Sequence, residues 1–220
     1  MITPETLKYL AELGENNHKP WFDANKTRYE THVKKPFEQL VTAFITELET
    51  VEGPWFLTPK DCIHRIYRDV RFSNDKTLYK THIGAMFSKG GKKNMAYPGY
   101  YLEIAAGRVQ FGGGAYFLEK EPLHAMRTHI LRNPDAFSAI VGDPDFAQKL
   151  GGVRGEKNAR LDIEFREAAV AQPLLFNKQF YFMSDDAPEA ILGPCAVAFL
   201  MEKMRAARPF NEFCRAALGF

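Results

Sequence analysis

The sequence predicts an α+β fold, with one central, mostly antiparallel sheet flanked by N-terminal and C-terminal helices. Three observations predict it. Apolar residues recur at helical spacing to about residue 49, they alternate at period two through much of 62–117, and helical spacing returns from 121 onward. With 220 residues, 45% of them hydrophobic, the chain buries a full core without disulfides or metals, and 1–220 reads as a single domain.

Thr3-Pro4 is an N-cap followed by proline at the first helical position. Leu7, Leu10 and Leu13 space a short helix, which Gly14 ends in the left-handed conformation. Pro20 opens a second helix carrying Trp21, Phe22, Asn25, Tyr29 and Val33, and Pro36, lacking a backbone donor, kinks or divides it. Phe37, Leu40, Val41, Phe44, Ile45 and Leu48 continue the helical period until Gly53-Pro54. Strands are expected over 62–72 and 81–87, followed by a basic loop, 88–94. Residues 100–105 and 108–117 pair as a hairpin across Ala106-Gly107. Within it, Gly112-Gly113-Gly114 weakens the strand unless a backbone or ligand comes close there. Helices follow from Pro122, over 135–141 and 144–150, and in an ambiguous stretch at 165–176. Residues 179–183 form a short aromatic strand. Pro188 opens the last helical region, Pro194 shifts its start, and Pro209 divides off a final short helix.

Composition excludes several function classes. A net charge of +2 is too balanced for a general polyanion binder. Cys62, Cys195 and Cys214 lie far apart with no CxxC, which fits a reducing compartment. The first residues lack the basic start and apolar core of a signal peptide, and no apolar run approaches the ~20 residues of a membrane helix. A cytoplasmic protein with no membrane partner is the expectation.

The chemistry concentrates in 64–82. Read as a strand, this stretch places Ile66, Val70 and Phe72 on one side and Arg65, Tyr67, Asp69 and Arg71 on the other. A turn at Ser73-Asn74-Asp75 leads to Lys76, Tyr79 and Lys80. From Lys60 to Lys93 there are nine Lys/Arg against three Asp, more donors than those carboxylates satisfy. Arg65, Arg68, Arg71, Lys76 and Lys80 are therefore the candidate ligand-binding residues for an anionic, phosphate-bearing small molecule. Asp69, Tyr79 and His82 are the candidate catalytic groups, because they have acid–base potential nearby. The competing structural reading is an ion-pair network in which Asp69 and Asp75 neutralise the neighbouring cations.

Two further expectations are negative. His64 and His82 lack a third ligand at zinc-like spacing, so no metal is expected. The glycine triplet is not a dinucleotide fingerprint, no Walker A or GxSxG motif is present, and no cofactor is implied. A nucleic-acid module using the 88–94 loop with Tyr97, Tyr100 and Tyr101 is the alternative partner class, disfavoured by the charge balance.

Several motifs carry a resemblance. They are Asn16-Asn17, Trp21-Phe22-Asp23-Ala24-Asn25-Lys26 with Tyr29, Pro36-Phe37, the run Arg65 to Ser73, Asp75-Lys76, Tyr79-Lys80-Thr81, Gly99-Tyr100-Tyr101-Leu102 and the glycine triplet. Together they resemble an uncharacterised family of bacteria, fungi and plants, domain of unknown function 2461. That family has a Pro-Arg-Gly stretch after the glycine-rich connector, where this chain reads Arg160-Leu161-Asp162-Ile163-Glu164-Phe165-Arg166. The resemblance implies no known activity.

Overall fold

A computed structural model describes residues 1–69, 71 and 74–220. Helix α1 (Pro4–Glu15) starts behind an extended Thr3, as the proline dictates. Its end differs from the expectation. Gly14 stays inside the helix, and Asn16 closes it, its backbone N–H and side-chain Nδ2 both donating to the Glu12 carbonyl. Asparagine can cap a last turn by itself, so the left-handed glycine is not needed.

Helix α2 (Lys19–Ala24) leads through α3 (Lys26–Arg28) and a π-helical turn, Tyr29–Lys34, into α4 (Lys35–Glu52). The π turn is what Pro36 does to this helix. Pro36 has no N–H to give the carbonyl of His32, and the hydroxyl of Thr6 on α1 donates to that carbonyl at 2.6 Å. Gly53, at φ 81°, ends α4.

The expected strand over 62–72 requires correction. Residues Pro59–Cys62 form a short helix, α5, with buried Cys62 in its last turn. The chain beyond is extended but makes only isolated bridges, Ile63 with Ala85 and Tyr67 with Tyr79. Four residues on one side span six on the other, so the register slips and no continuous ladder forms. The alternation at Val70 and Phe72, and the turn residue Ser73, lie outside the described residues.

The sheet contains β1 (His82–Phe87), β2 (Gly99–Ala105), β3 (Arg108–Ala115) and β4 (Phe180–Asp186), all antiparallel and in that spatial order. Register puts Ile83, Ala85, Phe87, Tyr100, Leu102, Ile104, Val109, Phe111, Phe180 and Phe182 on one buried face. The second face carries His82, Gly84, Met86, Tyr101, Glu103, Gln110, Gly112, Tyr181 and Met183. Ile63 and His64 pair beside β1, and Arg154 bridges to Tyr181 beside β4, so each edge is partly protected.

The later helices are α6 (Lys120–Arg132), α7 (Pro134–Val141), α8 (Pro144–Leu150), α9 (Ala168–Ala171) and α10 (Ala196–Leu218). Pro209 does not divide the last one; α10 runs through it. Leu200, Met204, Ala207, Phe210 and Cys214 form its fully buried stripe, and that packing outweighs the one missing backbone bond. In 163–176, helical turns continue past Pro173 as the 3-10 turn Pro173–Phe176. Among the described residues no helix is long and apolar enough to cross a membrane.

Candidate functional site

The arginines of the central stretch are drawn to its carboxylates. Arg71 Nε and Nη2 donate to Asp69 at 2.9 and 2.6 Å, and Arg65 Nη2 lies 3.9 Å from the same carboxylate. Arg65 and Arg71 therefore flank Asp69, although the stretch is not the continuous strand from which their shared side was expected. Arg68 turns elsewhere, donating through Nη1 to Asp75 and Thr77. These hydrogen bonds hold the Asp69 and Asp75 carboxyls down at about 2; for Asp69 the Arg71 side chain contributes most, for Asp75 the backbone N–H of Thr77. So acidic a carboxyl makes Asp69 a weak base at neutral pH.

Tyr79 is placed by an upstream side chain. Asn17 accepts from the Tyr79 N–H and donates to its carbonyl, each at 2.9 Å, so one amide acts as a strand partner. The Tyr79 ring is buried and stacks on Phe22 with centroids 4.1 Å apart. Burial raises its hydroxyl pKa, which suits packing better than proton transfer.

Lys80 and His82 face a different setting. A shallow cleft of about 350 Å³ is lined by Arg68, Asp69, Tyr79, Lys80, Thr81 and His82. Arg65, Arg71 and Lys76 are not among its lining residues. Lys80 is half-buried, and burial followed by the nearby Arg65 charge lowers its pKa. Among the described residues its ammonium makes no ion pair or side-chain hydrogen bond. His82 Nε2 lies 3.5 Å from Glu103. Burial lowers the His82 pKa against the opposing pull of Glu103, keeping the imidazole neutral at pH 7.

Sequence reasoning missed Glu103. It is a buried carboxylate on the second sheet face, accepting from the Tyr101 hydroxyl at 2.9 Å and from Arg108 at 3.1 Å. Its cross-strand neighbour on β1 is Gly84, where a Cβ would sit 3.1 Å from the Tyr101 hydroxyl; glycine leaves room for that oxygen. The sequence signal was a charge at an alternating position of an otherwise apolar strand.

Along the same face lies an apolar cavity of about 280 Å³, lined by His64, Met86, Tyr101, Tyr116, Tyr181 and Met183 among others, over the backbone of Gly113-Gly114. The basic loop contributes Lys92 to its rim, but that ammonium is fixed to the carbonyls of Lys60 and Ile63 at 2.5 and 2.7 Å. Lys92 therefore acts as a strut beneath the loop. Among the described residues no group of three or more His, Cys, Asp and Glu side chains is placed to hold a metal.

Fold and site define an α+β protein with one helix-packed sheet face and a second face on which charged, imidazole and aromatic groups meet. The family of conserved hypothetical proteins with domain of unknown function 2461 matches residues 5–213, and the chain belongs to that family. No curated protein and no solved structure matches it.

Proposed function

We propose that the protein binds, and in its cellular setting processes, a small anionic molecule bearing phosphate in the cleft of Lys80, Arg68, Thr81 and His82, within the cytoplasm. One observation carries the reading. A half-buried ammonium that makes no ion pair or side-chain hydrogen bond among the described residues, and that feels the Glu103 carboxylate less than its burial and the Arg65 charge, is costly, and a bound anion offsets that cost. His82, neutral and backed by Glu103, is the acid–base group best placed beside such an anion. Arg65 and Arg71, which neutralise Asp69, are placed at the periphery.

The pairing of Arg68 with Asp75 and of Arg71 with Asp69 favours a second reading, a structural brace for the 64–82 stretch. Thermal melts with inorganic phosphate separate the two. Lys80→Met is expected to keep or raise the melting temperature without phosphate, because burial of the charge and its repulsion from Arg65 are relieved, and to abolish the upward shift that phosphate gives the parent. A parent that phosphate does not stabilise, with Lys80→Met melting lower, would leave only the brace.

A further inference from the structure

The apolar cavity beside Tyr101 plays no part in holding an anion, yet it is built from side chains that would otherwise be awkward. Tyr116 and Phe117 are each 50% exposed and Met95 45%, an unusual cluster of large apolar groups around one opening. The Tyr116 ring meets Tyr181 edge-on, at 5.0 Å and 71°, and Phe117 at 4.9 Å and 69°. Met86 and Met183 add polarisable thioethers to the walls. The floor is bare backbone at Gly113-Gly114, and a Cβ on adjacent Gly112 would stand 2.8 Å from the Met183 thioether. An imidazole stands among the cavity's polar side chains. The half-buried His64 imidazole makes no hydrogen bond among the described residues, and its ring lies 6.3 Å from that of Tyr101.

We propose that this cavity is a binding subsite for a planar heteroaromatic ring whose polar edge hydrogen-bonds to His64. Resting on the anion reading above, the ring belongs to the same molecule whose charged end lies at Lys80. Geometry favours one ligand over two. His82 lines the cleft and Met86 lines the cavity, and they stand four residues apart on the same face of β1, about 13 Å along the strand. The tethered Lys92 apart, the cavity lining holds no fixed charge, so the ring end is neutral and the charge is carried at the far end. A heteroaromatic ring joined through an extended linker to phosphate, as in a nucleoside polyphosphate, has this chemistry. Aromatic walls hold such rings by stacking and edge contacts.

Isothermal titration of the full chain with the four ribonucleoside triphosphates, their nucleosides and inorganic tripolyphosphate tests this. At least one triphosphate is expected to bind tenfold or more tightly than tripolyphosphate. Tyr116→Ala and His64→Ala should each erase that advantage while leaving tripolyphosphate affinity unchanged. Lys80→Met should weaken tripolyphosphate and nucleotide alike. Tyr116 is half exposed, so its variant retains the fold, and a thermal melt checks this. If tripolyphosphate binds but no triphosphate binds more tightly, or if Tyr116→Ala and His64→Ala change nothing, the subsite is wrong and the anion cleft survives; if neither tripolyphosphate nor any nucleotide binds, both fall. If a nucleoside binds and both variants abolish it while tripolyphosphate does not bind, the subsite stands and the anion cleft falls.

Discussion

At His64 the environment leaves a mark that a pH titration reads. Burial, reinforced by the charges of Lys80 and Lys92, lowers its pKa from 6.5 to about 4. The unfolded chain therefore takes up this proton at higher pH than the folded one, and stability is lost as pH falls from 6.5 toward 4. Asp69 and Asp75, held at about 2, lose their contributions only below 3.8, so the windows do not overlap. Urea unfolding between pH 7 and 4 should show a declining stability that His64→Gln makes shallower in that range and leaves intact below it, the remaining slope belonging to His82 and His129, whose pKa burial also lowers. An identical slope in parent and variant would place the titrating group elsewhere.

At the scale of elements, the hairpin of β2 and β3 was the most legible part, because alternation and an Ala-Gly turn signal it locally. Prolines were read less well. Pro36 and Pro209 each remove one backbone donor, yet one produces a π turn and the other an unbroken helix. The difference is set by tertiary partners, Thr6 in one case and the buried stripe of α10 in the other, which lie far away in sequence. The 62–72 stretch failed for a related reason. Its alternation is real, but a ladder needs a partner in constant register, and that partner slips by two residues. Gly113 was flagged for close backbone approach, and a Cβ there would lie 2.5 Å from the Gly99 carbonyl and 2.7 Å from the Phe182 ring. Gly113→Ala should cost about 1–3 kcal/mol, since a ladder carbonyl cannot move aside. Gly107→Ala, with open space around it, should be near neutral and serves as the control in the same denaturation series.

Across the whole molecule, the two helical ends of the chain meet at one buried ion pair. Arg215 near the end of α10 donates to Glu52 at 2.5 Å and to the Pro98 carbonyl at 2.9 Å. Its guanidinium lies among the rings of Trp55, Tyr97 and Tyr100, and the Tyr100 hydroxyl donates to the same Glu52. The Arg215 and Glu52 side chains are 9% and 3% exposed, so neither charge can fall back on water. Arg215→Met should destabilise by about 3–5 kcal/mol, and adding Glu52→Gln should recover part of the loss. Additive losses in that double-mutant cycle would mean the two charges do not act as a pair. Neither partner was identifiable beforehand. The arginine-rich stretch announced itself by density of charge, whereas Glu52, Glu103 and Arg215 become informative only once folding gathers them.

Asn17 has a consequence for motion. Its amide closes both backbone groups of Tyr79 across 62 positions of sequence, coupling the loop that carries Lys80 to the segment joining α1 and α2. The cleft cannot widen at that point by bending its own loop alone. It must either carry the first helices along as a rigid unit or release two hydrogen bonds together, so opening is a cooperative event with a threshold. The amide proton of Tyr79, expected to exchange slowly while both bonds hold and fast once they break, is the natural reporter of that opening.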